Sequence, residues 1–501
     1  MRYFTLACIA LVGAAGLLSA AEKEKDKEVP WTVPALLKRI APLKHDNAGR
    51  FPMICIDIFR MTPEDKSWEE GKPLPPETIR ALAKRGLTQW IPPREKYIPY
   101  AQALQKEGAR VIMMEGYAFN GWGSEIDGKD DPELLHILPK DYTPDPRPAQ
   151  QSRFPCPLEL AGWKHKADEL RTTFKKYKDA GVTVDAVWLD WEIEPEGGTA
   201  QWHEAQACSR CRKTFPAGVL DDHDKYDSFI TRLHNEIFSA YAVAPILENY
   251  PACSVTSWHE VISTPDHPTP TWSGRGTVPP TGIGMFTAAN PVVYGNTAWY
   301  EIHWKKEWNW PLDVPHMDRV YTQVMLASIS MHEENARRCA PEKQSIPWVD
   351  RFCADDKDPK IPILSRPRYR EILRHCWLRG ADGMQIFNPN WFKDDPAREV
   401  IVAEEVEDAV LVYDEMLEYR RFLDSGETMN TASPKATDDG PIWSGLRLGD
   451  EAVIRVFTQA DKPVKATITP FKNGPAIELT CPPEGRTYLL KRSGEKIEVR
   501  P

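Results

Sequence analysis

Beyond the first two dozen residues, the chain has no apolar run approaching the length a membrane span needs, about 20 apolar residues in succession. It has no surplus of positive charge either: 63 Lys and Arg stand against 73 Asp and Glu, a formal net charge of −10. A nucleic-acid backbone or an anionic lipid surface calls for a basic face, so neither is an expected partner. The 12 histidines form no H-x-H or H-E-x-x-H pair, which argues against a metal-dependent hydrolase and for no catalytic metal. Cysteine is sparse, 10 in 501 residues, and scattered, which excludes a small disulfide-stapled scaffold. No internal repeat or coiled-coil heptad is present.

What is present begins with Arg2, an apolar stretch over 6–18 and the small residues Ser19-Ala20-Ala21. Residues 1–21 read as a secretory signal cut after Ala21. The mature chain is therefore expected to be soluble and exported, secreted or periplasmic, with no membrane partner after cleavage. Residues 22–30 form a charged tether. Signal removal takes Cys8 away and leaves nine cysteines, an odd number, so at least one thiol is free. Of these, Cys55 and Cys376 lie in apolar patterns typical of inert core positions.

Eight strand-like segments follow, at 51–60, 87–92, 109–117, 184–195, 253–261, 291–300, 345–352 and 380–388. Helical periodicity fills 33–40, 76–85, 97–107, 161–180, 225–242, 315–338 and 368–379. Gly108, Gly181 and Gly380 each stand between a helix exit and the next strand, where a left-handed turn is needed. Such alternation predicts an α/β fold, a (β/α)8 TIM barrel over 31–424 closed by a helix at 396–423. Polar insertions after strands three to six (120–157, 196–224, 263–287 and 301–315) imply a walled cleft on the catalytic face. A linker at 425–440 then leads to short alternating runs at 442–448, 452–458, 464–470, 477–481 and 486–491. These predict a small antiparallel β-sandwich domain over 441–501, whose expected role is to steady the barrel.

The fourth strand concentrates the chemistry. One of its faces takes Val187, Leu189, Trp191 and Ile193, and the other takes Trp188, Asp190, Glu192 and Glu194. Residues i and i+2 on a strand lie roughly 6–7 Å apart, so their carboxylates interact and one pKa rises. One proton-donating and one charged carboxyl is what cleavage of a glycosidic bond requires. Other predicted strand ends offer Asp57, Glu115, Glu260, Tyr294, Asn296, Asp350, Asn388 and Asn390 as further polar contacts. Trp258, Trp299 and Trp391 are candidate platforms for a sugar ring. The expected partner is a carbohydrate; the oligomeric state is left open.

Cys208-Ser209-Arg210-Cys211 is half of a zinc site, which Cys156, His203 or Cys253 could complete. In an exported protein a local disulfide, or a cross-link to Cys156, is the competing reading. Either would brace the loop after Glu192.

The run Asp185-Ala186-Val187-Trp188-Leu189-Asp190-Trp191-Glu192 resembles the Asp-x-x-Asp-x-Asp-x-Glu signature of family 18 glycoside hydrolases. Asp190-Trp191-Glu192 also resembles the Asp-Trp-Glu of hyaluronidases. The resemblance implies Glu192 as acid/base, Asp190 as the group that orients a substrate N-acetyl nucleophile, and Tyr294 as a helper. Trp188 stands where family 18 has its middle aspartate, a departure that fits the hyaluronidase pattern better. The layout of acids, Gly197-Gly198, Cys208-x-x-Cys211 and Phe215 is similar to that of family 42 β-galactosidases. That resemblance implies two protein carboxylates, yet Trp191 replaces the expected Asn and strand seven offers Asp350 rather than Glu. A non-catalytic carbohydrate-binding barrel is the third reading.

Overall fold

The computed structural model describes residues 32–55, 60–62, 65–115, 125–126, 129–130, 132–143, 156–189, 199–257, 261–264, 267–272, 287–295, 313–339, 344–351, 362–387 and 396–501. Its centre is a sheet of eight parallel strands: β1 (Met53–Cys55), β2 (Leu87–Ile91), β3 (Ile112–Glu115), β4 (Ala186–Leu189), β5 (Ser254–Ser257), β6 (Val292–Tyr294), β7 (Trp348–Asp350) and β8 (Met384–Ile386). The pairing order is β6-β7-β8-β1-β2-β3-β4-β5, which is chain order wrapped around a ring. The ring meets itself between β5 and β6, where Thr287 N–H donates to Val255 O (3.0 Å) and Val255 N–H to Thr287 Oγ1 (2.7 Å). All eight expected strands are present.

Both faces of a parallel sheet are covered, and the residue alternation here separates two cores. Met53, Cys55, Leu87, Ile91, Met113, Val187, Leu189, Val255, Val293, Val349, Met384 and Ile386 face outward, into the layer beneath the helices. Ile54, Trp90, Ile112, Ala186, Trp188, Val292, Tyr294, Trp348 and Phe387 fill the lumen. Pro291 and Pro347 lack an N–H and interrupt their strands. Short parallel stretches precede each break, at Ala288–Ala289 and Gln344–Ser345.

The helices are α1 (Val33–Arg39), α2 (Pro76–Ala83), α3 (Ile98–Lys106), α4 (Ala161–Asp179), α5 (Thr199–Ala207), α6 (Ser209–Thr214), α7 (His223–Phe238), α8 (Ala244–Leu247), α9 (Val314–Cys339), α10 (Arg366–Leu378), α11 (Pro396–Leu417) and α12 (Arg420–Ser425). Helices α5 and α6 were not legible as periodicity, because the apolar residues of α5 are spread around its axis rather than along one stripe. Gly108, Gly181 and Gly380 have φ of +77°, +76° and +107°, the left-handed turn their positions predict. No helix among the described residues is long and apolar enough to cross a membrane.

Seven antiparallel strands follow the barrel: β9 (Glu427–Asn430), β10 (Pro441–Leu448), β11 (Glu451–Thr458), β12 (Val464–Ile468), β13 (Ile477–Cys481), β14 (Arg486–Ser493) and β15 (Lys496–Arg500). Five form a sheet in the order β9-β10-β11-β14-β15, and β12 pairs with β13 across it. Strand β9 falls in the segment expected as a linker. It is an edge strand of polar, partly exposed residues, so hydrophobic alternation could not reveal it. Strand β11 is buried along almost its whole length because both of its faces are covered. Ile454 and Val456 meet β12 and β13, while Val453 and Phe457 join the barrel's outer core.

Polar groups lock the sheet to the barrel. Glu371 on α10 accepts from Arg455 on β11 at both oxygens, 2.8 and 2.6 Å. His375, one turn on, has Nε2 at 3.4 Å from Glu371 and Nδ1 at 2.7 Å from Ser444 Oγ, which also accepts from Arg379 Nε at 2.8 Å. All of these side chains are buried.

Candidate active site at the barrel mouth

The lumen is packed rather than hollow, and its packing is aromatic. Trp90 and Trp188 stack at 5.1 Å with planes 15° apart, and Trp348 stands edge-on to both at 4.7 and 5.2 Å. Tyr294 and Phe387 continue the layer at 4.9 Å from each other. The Trp188 indole N–H donates to Asn290 Oδ1 at 3.1 Å, and the Asn290 amide donates to Ile346 O. These bonds tie β4 across the lumen to the residues that lead into β6 and β7, beneath the C-terminal rim where barrels carry their chemistry.

Of the expected site residues, Tyr294 and Asp350 are brought together. They are register partners at the C-terminal ends of β6 and β7, share the lumen parity of Val292 and Trp348, and are 4% and 0% exposed. Gly295 N–H donates to the Asp350 carbonyl at 3.2 Å, and a Cβ at Gly295 would lie 3.3 Å from that same oxygen, so glycine permits the close turn.

Glu115 stands elsewhere. It has the outward parity of Met113, and Arg94 donates to its two oxygens at 2.9 and 2.6 Å. Burial raises its pKa and Arg94 opposes the rise. This carboxylate is held in the helical shell rather than over the lumen. Asp185, first residue of the Asp-rich run, is bound by Arg110 and by Val111 N–H (2.9 Å) at the N-terminal end of β4. It lines a cavity of about 620 Å³ with Arg50, Asn249, Gln344 and Asp382. That cavity opens at the N-terminal mouth, the end that serves stability in barrels, and its arginines are already paired with Asp185, Asp382 and Asp424. Asp57, Asp190, Glu192, Glu194, Trp258, Glu260, Asn296, Trp299, Asn388, Asn390 and Trp391 lie outside the described residues.

A second polar cluster sits in the insertions after β3 and β4. His136, Cys156, Cys208 and Cys211 are buried, with one ligand atom of each within 4.8 Å of all the others. Cys156 Sγ and Cys211 Sγ are 3.7 Å apart, and Cys211 Sγ is 3.6 Å from His136 Nδ1. Three cysteines of this cluster were named from sequence. The fourth member was not: His136 lies in the apolar run Leu134-Leu135-His136-Ile137-Leu138, with no short spacing to a cysteine. His203 instead packs beside Trp202 at 5.3 Å, and Cys253 is buried at the foot of β5 with its pKa pushed up by burial. Cys55 and Cys376 are core thiols as expected, and burial raises Cys376 to about 12.

The strand order makes this a (β/α)8 barrel. No family model and no curated protein matches the sequence. Solved structures similar in fold include alpha-L-fucosidase isoenzyme 2 from Paenibacillus thiaminolyticus (11% identity, 76% of this chain and 51% of that one, TM-score 0.42). A GH36 alpha-galactosidase from Geobacillus stearothermophilus matches at 9% identity over 86% of this chain and 51% of its own, TM-score 0.39. The isomaltulose synthase from Protaminobacter rubrum matches at 10% identity over 79% and 86%, TM-score 0.42. The chain spans about half the length of the first two.

Proposed function

We propose that this chain is an exported glycoside hydrolase that acts at the C-terminal mouth of its barrel, with Glu192 as acid/base. The observation that carries the reading is the parity of β4. Ala186 and Trp188 face the lumen while Val187 and Leu189 face the helices, and Asp190 and Glu192 have the sequence parity of Trp188. Two acids two and four residues beyond a lumen-facing indole suit a pair of carboxylates directed at one substrate.

The proposed reaction is retaining and substrate-assisted at an N-acetylhexosamine. Glu192 gives its proton to the glycosidic oxygen as the bond to the anomeric carbon breaks. The substrate's acetamido oxygen closes on that carbon, and Asp190 holds the acetamido N–H and offsets the positive charge that forms. Water then attacks the same carbon, Glu192 takes its proton, and the ring closed by the acetamido group reopens. Tyr294, at the rim of β6, is proposed to hydrogen-bond the acetamido group.

One observation favours a second reading. Asp350 stands beside Tyr294 on the lumen side of β7, which suits a protein nucleophile in a two-carboxylate mechanism. Screening the purified mature protein against nitrophenyl glycosides and N-acetylated polysaccharides, with Asp190→Asn and Asp350→Asn alongside, separates the two. Loss of turnover in Asp190→Asn with activity kept in Asp350→Asn supports the acetamido mechanism, and the reverse supports Asp350. Ligand binding without turnover in the parent would leave a carbohydrate-binding barrel.

A further inference from the structure

We propose that His136, Cys156, Cys208 and Cys211 bind one zinc ion that clamps the insertion after β3 to the insertion after β4. The site is distinct from the proposed catalytic mouth, and its test does not depend on that reading.

Two of the six ligand–ligand edges have the lengths of a tetrahedral ion's, and all six lie within 4.8 Å. With zinc–sulfur bonds of about 2.3 Å and a zinc–nitrogen bond of about 2.0 Å, a sulfur–sulfur edge is about 3.8 Å and a sulfur–nitrogen edge about 3.5 Å. The observed edges are 3.7 Å for Cys156–Cys211 and 3.6 Å for Cys211–His136 Nδ1. A disulfide would draw two sulfurs to about 2.05 Å, and none of the three thiols is joined to another. Three cysteines and a histidine converging on one point is a donor set suited to zinc and to few other divalent ions.

The surroundings have the features of a built site. Ala205, Phe215, Tyr226 and Ile230 pack around the sulfurs and exclude water. The Ile137 backbone N–H donates to Cys208 Sγ at 3.3 Å, the kind of outer bond that steadies a thiolate ligand. Three thiolates and a neutral imidazole around a divalent ion carry a net charge of −1. Arg210, between the two ligands Cys208 and Cys211, brings a positive charge beside Cys156 and Cys208 and is itself paired with Glu159 at 3.4 Å. Four protein ligands leave no open coordination position, so the ion is structural, not catalytic.

The ligands come from separate stretches of chain. His136 follows the turn Pro132–Leu134, Cys156 ends the same insertion, and Cys208 and Cys211 flank the start of α6. Backbone bonds already run between them: Cys156 N–H to Leu134 O (2.8 Å) and Ser209 N–H to Ile137 O (3.1 Å). The ion would fix the start of α6 to the turn at Pro132–Leu134 and to Cys156.

The test is elemental analysis of the full-length protein, purified without a metal-binding tag, together with its Cys208→Ser, His136→Ala, His136→Cys and Cys253→Ser variants. The expected result is one zinc per chain in the parent. It is kept in Cys253→Ser and in His136→Cys, which supplies four thiolates, and lost in Cys208→Ser and His136→Ala. A thiol-specific mercurial should release one equivalent of zinc from the parent, a readout that needs no variant to fold. Well under half a zinc per chain in the parent, an intact mass showing Cys156 in a disulfide with Cys208 or Cys211, or zinc kept in both ligand-deleted variants would overturn the proposal.

Discussion

Replacing Arg455 with Ala leaves the Glu371 carboxylate buried on α10 without its bidentate partner. Glu371 and Arg455 are 3% and 9% exposed, and removing one member of a buried, hydrogen-bonded pair costs about 3–5 kcal/mol. The titration of Glu371 gives an independent figure. Burial alone would raise its pKa, but hydrogen bonds from His375 and Arg455 outweigh burial and hold it at about 2, against an ordinary 4.5. A carboxyl lowered in this way stabilises the fold fully above pH 4.5, and the contribution is lost as pH falls through 2. The difference corresponds to about 3 kcal/mol. His375 adds a second, higher window. Burial, outweighing the pull of Glu371, lowers it to about 4 from an ordinary 6.5, so stability is full above 6.5 and falls as pH drops toward 4. Equilibrium urea unfolding, followed by circular dichroism and tryptophan fluorescence from pH 7 to pH 3, reads both. Arg455→Ala is expected to lose about 3–5 kcal/mol at pH 7, with the decline below pH 4.5 flattened and the decline below 6.5 retained. A paired Glu371→Leu/Arg455→Leu protein should lose less than Arg455→Ala alone. A loss under about 1 kcal/mol in Arg455→Ala, the scale of an exposed ion pair, would mean that Arg455 does not hold the buried Glu371 carboxylate.

Trp188→Ala opens a cavity inside the lumen and frees Asn290, so a loss of about 3–5 kcal/mol in the same assay is expected, with Trp188→Phe losing clearly less. Glu115→Gln weakens the bond to Arg94 and is expected to lower stability by about 1–3 kcal/mol. Because Glu115 faces the shell, kcat/KM should stay within about threefold of the parent; a large kcat/KM loss without a stability loss would return Glu115 to the site.

The barrel was legible because its signal is carried by strand parity and by glycines at helix ends. Val187 and Leu189 against Ala186 and Trp188 is a pattern read straight from residues, and each of the eight strands follows it. What stayed hidden lacked a local pattern. Edge strand β9 is short and partly exposed with Met429 as its one apolar residue, α5 has no apolar stripe, and His136 reaches its cysteines only through the fold. Parity also explains why, among the described candidates, Glu115 sits apart. Glu115 ends its strand as the others do, but one residue out of phase with the lumen-facing Met114, and Arg94 takes it. The insertion lengths led only to the expectation of a walled cleft, and the convergence of His136 on three cysteines required the tertiary structure.

In the proposed reaction Glu192 donates the proton to the leaving oxygen. That step is tested most directly by kcat/KM for Glu192→Gln on two glycosides of the sugar found active in the screen, one with a sugar aglycone and one with a dinitrophenyl aglycone. A loss of about 10²–10⁴-fold is expected on the first and a much smaller loss on the second, whose leaving group needs no proton. Equal losses on both, or full activity on both, would contradict that role for Glu192.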